Sequence, residues 1–384
     1  MSVVIAGYAR TPFVKYCGQF ARIPATALGA HAAAAALERA GLAPASVDRV
    51  VAGQVLQGGV GQNPARQAAV GAGVPMTTPA STLNVVCLSG TEAVAQGARL
   101  IETGEADVVL TIGMESMTLA PHAYAGSRMG ARYGAIELLD TMAHDGLTDA
   151  FEHRAMGVST EEHSERYDLT REEQDAWAAE SHRRLADSSA FQAQEIAPLE
   201  PKPGAEAVTA DDGVRPGTTV ESLARLRPAF GGRGTITAGN ASQISDGAAA
   251  LVLAREGVAP NPLARVVSWA LVAGPDVSLH VQPANAARAA LERAGRTVDD
   301  VAAWEISEAF AAVSLASTRS LGVDPALVNA HGGAIALGHP IGASGARIVG
   351  TVARTAAAAG AGALGVAAIC GGGGQGSAVV VEAL

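Results

Sequence analysis

Apolar and polar positions follow two periods along this chain. Short runs rich in valine and isoleucine, such as DVVLTIG at 107–113 and LGVAAIC at 364–370, have the length of buried strands. Longer alanine-rich segments between such runs carry their apolar residues at helical spacing. Strands that alternate with helices in this way are typical of a mostly parallel sheet with crossover helices. The pattern therefore predicts an α/β fold.

Two pairs of matching segments indicate an internal duplication. The hexapeptide ALERAG occurs at 36–41 and again at 290–295, an offset of 254 residues, and an apolar run follows each copy. Ser89-Gly90 and Ser344-Gly345, 255 residues apart, each open a helical stretch that leads to one of the strands quoted above. Two matches at nearly one offset imply that the beginning and the end of the chain are versions of one α/β unit.

The segment between the two units has a different composition. TREEQDAWAAESHRRLADS at 170–188 has helical spacing, and Thr170 and Glu173 are placed to form a capping box. The next stretch, at 198–217, is rich in proline, glycine and aspartate and is typical of irregular loop, before TAGNASQISDGAAALVLA at 237–254 returns to a turn and an apolar strand. The expected division is an N-terminal half at 1–120 plus about 236–262, an inserted loop domain at 121–235, and a C-terminal half at 263–384.

Composition and charge exclude several classes of protein. The 384 residues include no apolar run of the ~20 residues that span a bilayer and no leader-like start, so we expect a soluble cytoplasmic protein that does not bind membranes. A net charge of −10, with only Lys15 and Lys202 as lysines, disfavours nucleic-acid binding. Three cysteines without C-x-x-C spacing and histidines without paired spacing predict neither disulfides nor a metal site.

Cys87 stands where an apolar run meets a small, glycine-containing turn, in NVVCLSGTEA at 84–93. A helix is expected to begin at this turn, and the unpaired amides at the start of a helix favour negative charge. Cys87 is therefore a candidate thiolate nucleophile. A small apolar residue that fills the core is the alternative, and this stretch alone leaves both open.

Two further candidate groups lie in the C-terminal unit. His339 stands between a glycine and a proline, an arrangement that holds an imidazole at an exposed turn, either as the base for a thiol or in a structural role. Cys370 precedes four glycines in AAICGGGGQGSAVVVE. A strand follows where a dinucleotide-binding helix would begin, so a nucleotide site is excluded. The glycines form either an oxyanion site of backbone N–H groups or a tight turn between two strands.

Taken together, these segments resemble those of the thiolases over the whole chain. The matching motifs are NVVCLSG at 84–90, GMESM at 113–117, DGLTDAF at 145–151, LRPAF at 226–230, GTITAGNAS at 234–242, SEAFA at 307–311, GGAIALGHPIGASGAR at 332–347 and CGGGG at 370–374. The resemblance implies duplicated α/β halves that form a layered αβαβα core, with the insertion as the CoA-binding loop domain.

The resemblance also implies roles for the candidate groups. Cys87 would take the acyl group and His339 would accept its proton, while Cys370 would act as acid and base at the α-carbon of acetyl-CoA. His339 would also stabilise the enolate, and the amides of Cys87 and Gly372 would stabilise the tetrahedral species. Coenzyme A is then a substrate, and no tightly bound cofactor is expected. The implied CoA- and substrate-binding residues are Leu147, Met156, Arg215, Ser222, Ala238, Ser242, Ala309 and Phe310.

The chain departs from the thiolase pattern at four places. Ser307 replaces an asparagine that, in the family, holds a water in the enolate oxyanion hole; the shorter serine hydroxyl is expected either to hold a water differently or to leave the hole weakened. Leu88 stands where the family prefers a small residue, and we expect its bulk either to narrow or to redirect the acyl pocket. Ala155 replaces a histidine, and HVQP at 280–283 replaces a glycine-rich turn that touches the acyl group.

The resemblance implies thiolytic cleavage of a 3-ketoacyl-CoA by CoA, or the reverse Claisen condensation. Two alternatives stay open. One is a non-catalytic acyl-CoA-binding or assembly subunit with a decayed enolate hole, and the other is a ketosynthase, against which Cys370 and GHPIGASG speak. The family implies a homodimer or homotetramer, and GSRMGARYG at 126–134 lies where its tetramer-forming loop would be.

Overall fold

The computed structural model describes residues 1–232 and 234–384. In this part of the chain, ten strands form one mixed sheet in the order β10-β11-β12-β9-β1-β8-β5-β3-β4, with β2 paired to β8, while β6 and β7 form a separate hairpin. The strands are β1 (Val3–Arg10), β2 (Val14–Lys15), β3 (Arg49–Gly53), β4 (Ala80–Leu83), β5 (Val108–Ser116), β6 (His122–Ala123), β7 (Leu139–Asp140), β8 (Ser245–Arg255), β9 (Ala264–Ala273), β10 (Val301–Ile306), β11 (Leu364–Gly371) and β12 (Gln375–Ala383).

Helices connect and cover these strands. They are α1 (Ala25–Ala40), α2 (Pro64–Gly71), α3 (Ser89–Glu102), α4 (Met156–Ser164), α5 (Arg171–Asp187), α6 (Ser189–Glu195), α7 (Val220–Leu223), α8 (Gln282–Arg293), α9 (Ala311–Leu321), α10 (Ala334–Leu337) and α11 (Ile341–Ala359). Single helical turns lie at Pro44–Ser46, Ser127–Met129, Met142–Gly146, Val298–Asp300 and Pro325–Leu327.

The two ends of the chain repeat one strand topology, which confirms the predicted duplication. In the first half, β3 pairs in parallel with β4 and β5, and β8 pairs antiparallel with β5 and β1. In the second half, β10 pairs in parallel with β11, and β12 pairs antiparallel with β11 and β9. A parallel bridge between Trp304 and Val328 stands in the place that β4 has in the first half. The halves join edge to edge where β1 pairs antiparallel with β9.

Alternate residues of the long strands face opposite sides of the sheet, and this separates the helices into layers. Leu251 of β8 and Val379 of β12 belong to one buried apolar cluster that also holds α3 and α11. Their neighbours Val252 and Val380 belong to two other clusters, packed with α1 and α8 respectively. The central helices α3 and α11 therefore lie between the two halves, as the layered αβαβα prediction requires.

The segment between β5 and β8 carries the β6–β7 hairpin and helices α4 to α7. The predicted helix α5 forms, and the reciprocal capping box between Thr170 and Glu173 is present at its start. The proline- and glycine-rich stretch after it is irregular apart from one bridge between Leu199 and Val208 and the short α7. No helix in the described ranges is both long and apolar enough to cross a bilayer.

Candidate active site

Cys87 lies in a tight turn between β4 and α3. The Asn84 side-chain oxygen accepts a hydrogen bond from the Val86 N–H at 2.9 Å, and the Ser89 hydroxyl donates to the Val86 carbonyl at 2.6 Å. These bonds hold Val86 at a φ of 51°, a left-handed conformation that costs a β-branched residue roughly 1–3 kcal/mol. The strained turn places Cys87 just before the start of α3.

The surroundings of Cys87 favour the neutral thiol. Burial raises the pKa of this thiol to about 12, although the backbone N–H groups of Gly372 and of Cys87 itself lower it. The negative charge of Glu115 raises the pKa of Cys87 further. The expectation of a thiolate at the helix start is therefore wrong for the resting protein, because desolvation outweighs the nearby amides. The two amides lie where they can stabilise a negative charge that appears at Cys87 during a reaction.

His339 is buried, with 8% of its surface exposed, and does not lie at the exposed turn that its Gly-His-Pro context predicted. The turn is covered because Pro340 leads directly into α11. The Ser344 hydroxyl lies 3.1 Å from the Pro340 carbonyl and 2.7 Å from His339 Nδ1, and we assign its hydrogen to the carbonyl, so that it accepts from the Nδ1–H. His339 Nε2 is then the unprotonated nitrogen, and it is buried with no partner among the described residues.

Burial and the charge of Arg347 lower the pKa of His339 to about 4. The imidazole is therefore neutral at pH 7, and its free Nε2 lone pair can accept a proton. The neutral Cys87 thiol can transfer its proton to the neutral His339 imidazole as the sulfur attacks. Neither group then has to carry a charge in the buried site before the reaction begins.

Cys370 and the glycines after it form the hairpin that joins β11 to β12, in which Cys370 pairs with Gly376. Gly374 has a φ of 69°, and a Cβ there would lie 1.9 Å from the Asp276 carbonyl oxygen, so only glycine fits. Burial raises the pKa of the Cys370 thiol strongly, and the charge of Cys87 raises it further. The glycine run forms the tight turn between two strands that was one of the two alternatives, and this turn brings the Gly372 amide to Cys87.

One cavity of about 70 Å³ opens between the two halves at these groups. Its walls include nine of the residues singled out from the sequence: Cys87, Leu147, Met156, Ser242, Ala309, Phe310, His339, Cys370 and Gly372. Val86, Gly146, Leu279, Ile341 and Gly371 complete the lining, although none of them was predicted as a site residue. Four of these residues lie inside quoted motifs and Leu279 directly precedes HVQP at 280–283, which was the available signal.

A second cavity of about 190 Å³ is lined by three other predicted CoA-binding residues, Arg215, Ser222 and Ala238. The loop at 238–243 lines both cavities, because Gln243 and Ala238 face the larger one and Ser242 faces the smaller. Burial and the charge of Arg215 lower the pKa of His182, which lines the same cavity, to about 4. Within the described ranges, no carboxylate lies within 4.0 Å of the Arg215 guanidinium, which leaves it available for an anion.

Two of the noted departures lie away from the cavity surface. Ser307 is buried beside β11, with its N–H donating to the Ala368 carbonyl at 2.9 Å, and its hydroxyl has no partner among the described residues. Leu88 is fully buried in the central apolar cluster, against Gly371. The expectation that Leu88 narrows the acyl pocket is wrong, because the turn points its side chain into the core.

Two buried carboxylates, both inside quoted motifs, position the site. Glu308 accepts hydrogen bonds from the side chains of Trp177, Ser181 and Asn329 and from the Ile335 N–H. It thereby fixes the strand end that carries Ser307, Ala309 and Phe310.

Glu115 accepts from the backbone N–H groups of Val55, Leu56 and Gly342, and so ties the start of α11 to the first half. Burial raises the pKa of Glu115 to about 7, although these three hydrogen bonds lower it. The sequence showed both acids, but not the donors that surround them.

Within residues 1–232 and 234–384, no group of three or more His, Cys, Asp or Glu residues is arranged to hold a metal ion. All three cysteines are free thiols, of which Cys17 is exposed.

Comparison with known proteins gives consistent matches over the whole chain. The model of the thiolase N-terminal domain matches residues 3–257, and that of the thiolase C-terminal domain matches residues 260–383. A probable acetyl-CoA acetyltransferase of Mycobacterium leprae is 48% identical over 392 aligned positions, which cover 100% of this chain and 99% of that protein. An acetyl-CoA acetyltransferase of Shinella zoogloeoides is 46% identical over 391 positions, with coverage of 100% and 99%. The crystal structure of human mitochondrial 3-ketoacyl-CoA thiolase superposes with a TM-score of 0.94 at 36% identity, and covers 100% of this chain and 98% of that one.

Proposed function

Because the chain belongs to the thiolase family and is a thiolase acyltransferase that acts on acyl-CoA and CoA, we propose that Cys87 carries the acyl group of a short 3-ketoacyl-CoA. The observation that carries the proposal is that Cys87, His339 and Cys370 line one cavity, with the Gly372 amide directed at the Cys87 sulfur. The alternatives of a non-catalytic subunit and a ketosynthase are not favoured by the comparisons.

In the cleavage direction, the first step forms the bond between the Cys87 sulfur and the keto carbon of the substrate. The thiol proton moves to His339 Nε2, whose buried lone pair has no partner in residues 1–232 and 234–384. The carbonyl oxygen becomes negative and accepts hydrogen bonds from the amides of Cys87 and Gly372. The step therefore creates an imidazolium cation and an oxyanion in one cavity, and two backbone amides stabilise the oxyanion.

In the second step, the carbon–carbon bond breaks, and its electron pair leaves with acetyl-CoA as an enolate. His339, now protonated at Nε2, donates to the enolate oxygen, and the Cys370 thiol protonates the enolate carbon. The high pKa that burial gives Cys370 keeps this thiol protonated until the enolate forms. Incoming CoA then gives its thiol proton to the Cys370 thiolate as its sulfur attacks the acyl-Cys87 thioester. The shortened acyl group leaves on CoA, and the released Cys87 thiolate takes back the proton held by His339, so both cysteines and the imidazole return to their starting forms. An enzyme accelerates the forward and the reverse reaction by the same factor, so the same steps in reverse form the carbon–carbon bond.

The size of the inner cavity supports acetoacetyl-CoA as the substrate. An apolar cavity of about 150 Å³ holds benzene, and the one at Cys87 has about 70 Å³. Such a volume fits an acyl group of about two to four carbons. The relatives at 46% and 48% identity are named acetyl-CoA acetyltransferases, which supports the same substrate.

The outer cavity is proposed to hold the phosphate-bearing part of CoA. Arg215 is the cation on its wall, and a guanidinium binds phosphate oxygens through charge-assisted hydrogen bonds. Ser222 and Ala238 line the same cavity. A local arginine of this kind allows a protein of net charge −10 to bind a polyanion.

We also propose a homo-oligomer, either a dimer or a tetramer. The segment that joins β6 to β7 exposes Met129, Tyr133, Ile136 and Leu138, and contiguous exposed apolar groups mark contact surfaces. Three free thiols support a reducing compartment such as the cytoplasm, and the acidic balance supports neither a nucleic-acid nor a membrane partner.

The test is thiolysis by free CoA of a panel of straight 3-ketoacyl-CoAs from four to ten carbons. We expect the highest kcat/KM with acetoacetyl-CoA, and acetylated Cys87 after mixing with acetyl-CoA alone, detected by mass spectrometry. A preference for substrates of eight or more carbons would overturn the substrate assignment. A complete lack of thiolysis across the panel would overturn the proposed catalytic roles.

A further inference from the structure

One wall of the acyl cavity rests on a buried polar cluster. Leu279 lines the cavity from the loop at 274–281, between β9 and α8, and its side chain is 4% exposed. Both neighbours in the loop, Ser278 and His280, are buried polar residues, and His280 has no exposed surface. Buried polar side chains next to an apolar wall need partners, and these partners determine how the wall is held.

His280 is joined to α4 by a chain of hydrogen bonds. Thr160 donates to the Met156 carbonyl at 2.8 Å, and Ser164 donates to the Thr160 carbonyl at 2.8 Å. Ser164 has then used its only hydrogen, so it accepts from His280 Nε2 at 2.9 Å. His280 Nδ1 is left to accept from the Ser278 hydroxyl at 3.3 Å. The chain therefore requires the neutral Nε2–H form of His280, and burial lowers its pKa to about 4.

The ring of His280 is also held from its face and through its backbone. Tyr167 stacks on it with the ring centroids 4.6 Å apart and the planes at 17°. Ser317 of α9 donates to the His280 carbonyl at 2.7 Å. Arg166 and Asp276, paired at 2.6 Å, tie the same loop to the chain just after α4. The loop that carries Leu279 is thus fixed to two helices.

Leu279 and Met156 face the cavity together. Both line it, and both belong to the apolar cluster around Phe310 and Cys370. The hydrogen-bonded chain runs from the Met156 carbonyl to His280, directly next to Leu279 in sequence. The two apolar groups are therefore held at a fixed spacing by polar contacts behind them.

We propose that His280 is a positioning residue that sets the acyl-chain length of the substrate, by holding Leu279 as a rigid wall of the cavity that Cys87 also lines. The inference rests on the proposed function and extends it to specificity. His280 does not line the cavity, so it acts through Leu279 and has no direct contact with the acyl group. The accepted substrates are 3-ketoacyl-CoAs whose acyl group ends at this wall.

The test compares kcat/KM for 3-ketohexanoyl-CoA with that for acetoacetyl-CoA, and the ratio does not depend on how much of the enzyme is active. His280→Ala is expected to raise this ratio at least about tenfold, since one methylene in an apolar pocket changes specificity about 10- to 200-fold. Leu279→Ala, which removes the wall itself, should raise the ratio in the same way. His280→Gln keeps a donor for Ser164 and an acceptor for Ser278, and should stay within about threefold of the unchanged enzyme.

His331→Ala is the matched control. His331 also bonds a serine, Ser188, at 3.0 Å and stacks on an aromatic ring, that of Phe191, at 3.6 Å, but it does not line the cavity. The ratio of kcat/KM for 3-ketohexanoyl-CoA to that for acetoacetyl-CoA should be unchanged in His331→Ala. The proposal would be overturned if the ratio of the two kcat/KM values were unchanged in Leu279→Ala or in a folded His280→Ala enzyme. It would also be overturned if His331→Ala raised this ratio as much as His280→Ala does. Acetoacetyl-CoA turnover by the unchanged enzyme separately tests the proposed function, so the two failures are distinguishable.

Discussion

Gly90 of α3 and Gly345 of α11 meet backbone to backbone where the two central helices cross. A Cβ on Gly90 would lie 2.3 Å from the Ala346 nitrogen, and a Cβ on Gly345 would lie 2.3 Å from the Thr91 nitrogen. These are the glycines of the two Ser-Gly pairs that revealed the duplication. Because α3 begins just after Cys87 and α11 just after His339, the crossing sets how closely the thiol and the imidazole approach.

Gly345→Ala should therefore impair both folding and catalysis. The added methyl group meets backbone, which cannot move aside as a side chain can, and overpacking of this kind costs about 1–3 kcal/mol. We expect a lower melting temperature and a kcat reduced at least about tenfold in the folded fraction, since a 1 Å misplacement costs about 100-fold. Gly58→Ala is the control, because a Cβ there makes only an ordinary contact of 3.4 Å with Pro121. A Gly345→Ala enzyme with full kcat would show that the crossing does not position the site.

Substitutions of Cys87 and of Cys370 should have different effects on acetylation and on turnover. Cys87→Ala should abolish acetylation by acetyl-CoA, because no other thiol has the Gly372 amide beside it. Cys370→Ala should still form acetyl-Cys87 but lose turnover, because the enolate has no proton donor. Mass spectrometry of the intact protein measures the first effect and thiolysis of acetoacetyl-CoA the second. Cys17→Ala, at an exposed position, should change neither. Acetylation of the Cys87→Ala protein would contradict the role given to Cys87.

Acetylation of Cys87 should depend little on pH near neutrality. The pKa of His339 is lowered to about 4 by burial, and the pKa of Cys87 is raised to about 12, so both are neutral over the intervening range. The rate should vary no more than about twofold between about pH 5.5 and 8.5, and should fall as pH drops through about 4, where protonated His339 can no longer accept a proton. A preformed-thiolate mechanism would instead give about a tenfold rise per pH unit. Quenched-flow acetylation followed by mass spectrometry distinguishes the two.

Substitution of Arg215 should weaken the binding of CoA without affecting the chemical steps. Arg215→Ala should raise KM for CoA in thiolysis at least about tenfold, the worth of a lost charge-assisted hydrogen bond, and leave kcat within about twofold. An N-acetylcysteamine thioester of acetoacetate has no phosphate, so its thiolysis by a small thiol should not distinguish the variant from the unchanged enzyme. Arg225→Ala, at an exposed position nearby, is the control. A change in kcat without a change in KM would remove Arg215 from the proposed CoA site.

The sequence predicted what depends on local pattern and on repetition. The α/β class, the duplicated halves, the capping box of α5 and the strand after the glycine run all follow from periodicity and turn chemistry. What failed depends on packing that the local pattern does not show. Leu88 packs against Gly371 and Cys87 lies beside the Gly372 amide, both more than 280 residues away in the chain, while His339 is covered because Pro340 leads directly into the buried helix α11. The role of Leu279 was also hidden, because the cavity that it lines exists only once α4 and the β9–α8 loop are brought together.

Ser307 provides the sharpest separation between a structural and a catalytic role. Its buried hydroxyl has no partner among the described residues, so Ser307→Ala breaks no protein hydrogen bond and should leave the free energy of unfolding unchanged or slightly increased. If the hydroxyl helps to stabilise the enolate, kcat for thiolysis should still fall about tenfold or more, while acetylation of Cys87 by acetyl-CoA stays intact. Ser314→Ala is the matched control, because the buried Ser314 hydroxyl in α9 likewise has no partner within the described part of the chain, and the resemblance to thiolases gives position 314 no role at the enolate. Equal kcat in both variants would show that the enolate hole does not use position 307, and that His339 alone supplies its side-chain donor.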